Sequence, residues 1–134
     1  MPDDNMQKAI TQEWFLRGEH DFQSADILLK QNGHADTIAV LIQQAVEKYV
    51  KGFLLGRGWK LRKIHDLELL VEEATKYDKT FIPFLDLARR LSAFYMADRY
   101  PPGPTRDYSR EEIKTIFTEA STLITRFKDL STWQ

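Results

Sequence analysis

A chain of 134 residues holds one domain and is too short for two of ordinary size, since domains run to ~100–150 residues. Hydrophobic residues at 43% and aromatics at 12% exclude a disordered chain, and 19 Lys+Arg against 20 Asp+Glu leave a net charge of -1, which excludes a global basic field. The absence of cysteine removes disulfides, thiolate metal sites and cysteine nucleophiles and points to a reducing, cytoplasmic setting. No run approaches the ~18 apolar residues of a membrane span, and Met1 to Met6 is polar rather than a basic start before an apolar signal core.

The periodicity is helical throughout, which predicts an all-α chain. Residues 1–7 are expected to be flexible. A first helix is predicted from about Lys8 to Gln31, with Phe15, Gly18, Phe22, Ala25 and Leu29 on one stripe and Trp14 and Leu28 widening it. Asn32-Gly33 ends it, because these residues take the left-handed conformation used at helix termini. Asp36 is expected to cap a second helix from Thr37 to Leu55, with Ile38, Leu41, Ile42, Ala45, Tyr49, Phe53 and Leu54 inward. Gln44, Glu47, Lys48 and Lys51 are expected on its solvated face.

Gly56 and Gly58 break that helix, and a loop leads to Asp66 as the N-cap of a third, shorter helix over Leu67 to Tyr77. A fourth is predicted from Thr80 to Tyr100, with Pro83 in its first turn and Pro101, Pro102 and Pro104 stopping it. Ser109 and Glu112 form a capping box that opens the last helix, with Ile113, Ile116, Phe117, Ala120, Leu123, Ile124, Phe127 and Leu130 inward. Short connections favour antiparallel neighbours, so the expected fold is an antiparallel up-and-down bundle of four long helices plus a shorter one.

The neutral net charge hides an asymmetry. Lys48, Lys51, Arg57, Lys60, Arg62 and Lys63 fall in a window from Lys48 to His65 without any Asp or Glu. Two readings stand: the cations hold phosphates while Trp59 stacks on a base, or they solvate a helix C-terminus whose dipole they complement. Arg99-Tyr100, just before a rigid proline turn, supplies a guanidinium that either clamps a phosphate or caps its own helix. Arg89-Arg90 is expected to extend that positive surface.

Other chemistry is missing. His65-Asp66 reads as a cap and its preceding residue rather than a catalytic pair, and His20 and His34 as exposed positions. The three histidines lack helix-spaced partners for a metal, and Gly56-x-Gly58 lacks the rest of a phosphate-cradling loop. The residues nominate no catalytic group, no metal site and no cofactor.

Trp14-x-x-x-Gly18-x-x-Asp21-Phe22-x-x-Ala25-x-x-Leu28-Leu29, then Gln43-Gln44-Ala45-Val46-Glu47-Lys48 with Lys51, then His65-Asp66-Leu67, then Tyr95-x-x-x-Arg99-Tyr100-Pro101, resemble the HEPN domain family in order and spacing. The resemblance covers nearly the whole chain and, through Arg99-Tyr100-Pro101, the branch associated with minimal nucleotidyltransferases. It implies a helical bundle, commonly a homodimer, encoded beside such an enzyme in toxin–antitoxin-like modules and associated with nucleotide or RNA. Many members are ribonucleases with an arginine followed, after about four to six residues, by a histidine acting as acid or base. No such pair occurs here, since none of the three histidines has an arginine at that distance upstream and no histidine lies beyond His65. The resemblance therefore implies a non-catalytic partner protein whose phosphate-binding candidates are Lys48, Lys51, Arg57, Trp59, Lys60, Arg99 and Tyr100. The alternative is a metal-independent ribonuclease toxin with an atypical site, using Arg99 with His65 or Tyr100.

Overall fold

A computed structural model of the chain describes residues 4–99 and 108–131. It contains α1 (Asp4–Lys30), α2 (Ala35–Leu55), α3 (Leu67–Thr75), a 3₁₀ turn (Lys79–Phe84), α4 (Leu85–Arg99) and α5 (Arg110–Asp129), and no strand among the described residues. The contacts fix the directions of the rods. Thr11 reaches Gly52 and Asp21 reaches Lys48, so α1 and α2 are antiparallel. Phe22 stacks on Phe117 while Arg110 reaches back to Leu29, so α5 is antiparallel to α1. Arg90 meets Glu119 and Phe94 meets Tyr108, so α4 is antiparallel to α5. The result is the expected all-α, up-and-down bundle with α3 as its short inserted member.

Helix α2 is the central rod, and Ile38, Ile42, Tyr49, Phe53 and Leu54 on it are fully buried. Phe53 packs edge-on against Phe81 and tilted against Phe127, which closes the core between the 3₁₀ turn and α5. A glycine from each helix lets α1 and α2 pack closely: a Cβ on Gly18 of α1 would stand 2.8 Å from the Tyr49 ring, and one on Gly52 of α2 2.8 Å from the Trp14 Cβ. Thr11, buried between them, donates from Oγ1 to the Gly52 carbonyl at 2.8 Å.

Several boundaries differ from the sequence expectation for identifiable reasons. Helix α1 begins at Asp4 rather than Lys8, so residues 4–7, expected to be flexible, continue the helix; Gln7 lies beside Gly58. It ends with Asn32, not Gly33, in the left-handed region (φ 58°), and the Gly33 amide donates to the Leu28 carbonyl across the terminus. Asp36 does not cap α2: the helix starts two residues earlier, at Ala35, with His34 at the cap and no side-chain bond there, and Asp36 instead sits in the first turn, favourably placed against the dipole. Thr80 does not open α4, because the segment around Pro83 winds as a 3₁₀ turn from Lys79 and the α-helix starts only at Leu85. Helix α3 stops at Thr75, two residues before Tyr77.

Two of the expected caps form. Asp66 accepts from the amides of Glu68 and Leu69, and Ser109 accepts from the Glu112 amide at 3.1 Å. The start of α3 is tied to α4 through Ser92, whose hydroxyl accepts from the Leu67 amide at 2.9 Å.

Candidate functional site

The basic window spans the end of α2 and the loop to α3, and the fold divides its cations into two groups. Lys48 pairs with Asp21 on α1. Lys51, expected on a solvated face, is buried: its ammonium lies 3.0 Å from Glu47 and 6.0 Å from the Trp14 ring centroid. A buried ion pair of this kind is costly to break, so Lys51 is committed to the fold. The physical reason sequence misses this is tertiary: Asp21 and Trp14 belong to α1, and only helix packing brings them to α2.

Arg57 is committed as well. One terminal nitrogen donates to the Leu130 carbonyl at 2.6 Å, the other to the Phe53 carbonyl at 3.5 Å, and the guanidinium lies 3.7 Å from the Phe53 ring centroid. Burial lowers its pKa below the ordinary arginine value, while Tyr77 and Asp78 act in the opposite direction. The side chain clamps the C-termini of α2 and α5 together, meeting two ends where carbonyls lack helical partners.

The second group is Lys60, Arg62 and Lys63. All three are exposed, and no carboxylate among the described residues pairs with them. Gly58, at φ 86°, turns the chain out of α2, and the Trp59 amide donates back to Leu54 at 3.1 Å. Trp59 is half-buried against the core, which anchors the loop root while Leu61 next to the cations is 56% exposed. Arg89 and Arg90, expected to extend the positive surface of Arg99 on the same helix, are engaged by carboxylates instead. Arg89 makes a two-pronged contact with Glu68, which raises its pKa and lowers that of Glu68, and Arg90 is held by Asp86 and Glu119.

Beside the loop lies a polar row that the sequence expectation did not assemble. Gln43, Glu47 and Lys51 recur at intervals of four on α2, and the Glu47 carboxylate receives Gln43 Nε2 at 3.0 Å and Lys51 Nζ at 3.0 Å and lies 3.1 Å from His65 Nδ1. Gln43 is fully buried, and its Oε1 has no hydrogen-bond partner among the described residues. The available signal was the spacing of four, which places polar groups in one row along the helix. Arg99 is the last residue of α4, and Tyr100 lies outside the described residues. No group of three or more His, Asp or Glu side chains among the described residues has the arrangement of a metal site.

The model of the HEPN domain family matches residues 11–130, from the first turns of α1 to the end of α5. The chain belongs to the HEPN family. This HEPN chain is also similar in fold to the crystal structure of TT1696 from Thermus thermophilus, with a TM-score of 0.76 at 22% identity over 89% of this chain and 96% of that one. No curated protein sequence matches it. Among the described residues no helix is long and apolar enough to cross a membrane.

Proposed function

We propose that this HEPN chain is a non-catalytic, cytoplasmic partner of a minimal nucleotidyltransferase in a toxin–antitoxin-like module, and that it meets nucleotide or RNA phosphates through the α2–α3 loop. The observation that carries the reading is the trio Lys60, Arg62 and Lys63, exposed and without carboxylates, next to a half-buried Trp59. Of the candidates taken from sequence, Lys48, Lys51 and Arg57 are engaged by protein groups, so phosphate binding falls to the loop, and Arg99 and Tyr100 stay candidates on the sequence alone. A homodimer, as the family resemblance implies, is part of the same proposal.

The test has two parts. Titrating a fluorescent single-stranded RNA against salt should show binding that weakens as salt rises. Replacing Lys60, Arg62 and Lys63 by alanine should flatten the log–log slope by about 2, since each phosphate neutralised on a single strand contributes about 0.7. Co-purification with a nucleotidyltransferase encoded beside the chain tests the partnership. No complex and no phosphate binding would refute the reading.

One observation favours the ribonuclease alternative. His65 Nδ1 lies against the Glu47 carboxylate, the arrangement in which an acid orients an imidazole for proton transfer, beside the basic loop. RNA cleavage abolished by His65→Gln and by Arg99→Ala would select this alternative over the non-catalytic reading.

A further inference from the structure

The basic loop does not stand alone at its end of the bundle. A Cβ on Gly58 would lie 3.7 Å from Gln7 Nε2, and Trp14 packs beside Lys51 and Gly52, so the first turns of α1 run along the root of the loop. Met6 and Ile10 stand two turns and one turn before Trp14, at spacings of four that keep them on its side of α1. They are 57% and 36% exposed, and Leu61 on the loop is 56% exposed. Three apolar side chains and the cations Lys60, Arg62 and Lys63 thus share one end of the molecule.

Phosphate binding accounts for the cations and leaves the apolar members unexplained, because a polyanion backbone gains nothing from Met6 or Ile10. A second copy of this chain is disfavoured on the same face, since a two-fold contact would bring the two basic loops together. We infer that the α2–α3 loop and the N-terminal turns of α1 form one docking surface for an acidic, amphipathic helix of a partner protein. The inference rests on the partnership proposed above and names the element that makes it. An apolar stripe on such a helix covers Met6, Ile10 and Leu61, and its flanking carboxylates meet Lys60, Arg62 and Lys63. The helix occupies the cations that would otherwise hold phosphates, so partner and RNA exclude one another.

The full chain is co-expressed with the nucleotidyltransferase encoded beside it, with a photo-cross-linking phenylalanine in place of Met6, of Leu61 or, as a control, of Ile82 on the 3₁₀ turn, which is 51% exposed. The expected result is cross-linking from positions 6 and 61, mapped to an Asp- and Glu-rich helix of the partner, and none from 82. Charge reversal by Lys60→Glu, Arg62→Glu and Lys63→Glu, and separately Met6→Ser with Ile10→Ser, should each weaken the complex on the order of tenfold or more, and partner should displace bound RNA. All these side chains are exposed, so the variants retain the fold. A complex that cross-links through 82 or survives both sets of substitutions overturns the docking surface and leaves the partnership standing. Absence of any complex overturns both, and cross-links to a second copy of the chain overturn the docking surface by assigning the face to dimerisation.

Discussion

Replacing Arg57 by alanine separates a structural arginine from a phosphate-binding one. The change removes a charge-assisted hydrogen bond to the Leu130 carbonyl at 2.6 Å, a longer one to Phe53 and the stacking on the Phe53 ring at 3.7 Å. A hydrogen bond from a charged donor contributes about 1.5–3 kcal/mol and a cation–π contact about 0.5–1 kcal/mol at an exposed site. The group is only part-buried, so water reaches the freed carbonyls and the loss falls at about 2 kcal/mol. For a chain of this size that corresponds to a fall in Tm of about 8 °C, at about 4 °C per kcal/mol. Urea unfolding should show a lower midpoint at unchanged slope, since the native surface is the same. In the RNA titration the salt slope should stay at the wild-type value. A stability loss under about 0.5 kcal/mol would refute the clamp, and a salt slope reduced by about 0.7 would show that Arg57 touches phosphate.

Three further outcomes are expected. Gly18→Ala should destabilise by about 1–3 kcal/mol despite alanine's higher helix propensity, because the new Cβ meets the buried Tyr49 ring at 2.8 Å and the Ala45 carbonyl at 3.2 Å; thermal unfolding reads it, and a stabilised variant would show that α1 shifts freely on α2. Asp66→Ala should cost about 0.5–2 kcal/mol through the missing cap on α3, whereas Asp66→Asn should restore most of it in the same assay. Glu19 accepts from the Tyr49 hydroxyl at 2.6 Å and from Lys128 at 3.1 Å, and these bonds, led by Tyr49, hold its pKa below the usual carboxylate value against a smaller effect of burial. Its contribution is therefore present above the unfolded-state pKa and disappears as pH falls through the lower folded-state one. Stability measured from pH 7 to pH 3 should fall less steeply in Glu19→Gln, and parallel curves for the two proteins would remove Glu19 from the acid response.

The same network bears on Tyr49, whose pKa is raised by burial first and by the Glu19 carboxylate second, so its hydroxyl stays a donor across the working pH range. Glu19 thereby joins α1, α2 and α5, since Lys128 also lies 5.6 Å from the Tyr49 ring centroid.

The candidate site was legible in part. The absence of carboxylates from Lys48 to His65 is a property of sequence order, and it located the loop where Lys60, Arg62 and Lys63 stand exposed. It could not tell these three from Lys48, Lys51 and Arg57, because the groups that engage the latter include Asp21, 27 residues before Lys48, and Leu130, 73 residues after Arg57. Arg89 and Arg90 looked like further positive surface for the same reason: Glu68 and Glu119 lie on other helices.

Local rules settled much of the fold. A spacing of three and four apolar residues needs only neighbouring turns to make a buried stripe, so the sequence alone determined five α-helices, their inward faces, the Asp66 and Ser109 caps and, with short connections, the alternating directions of the rods. Tertiary structure decided what depends on groups far apart along the chain. It fixed how close α1 approaches α2 through Gly18 and Gly52, buried Lys51 with Glu47, turned Arg57 from a candidate phosphate ligand into a clamp, and brought Gln7 of α1 beside Gly58 at the root of the basic loop. Charge is readable residue by residue, but whether a charge is available depends on the partner that packing supplies.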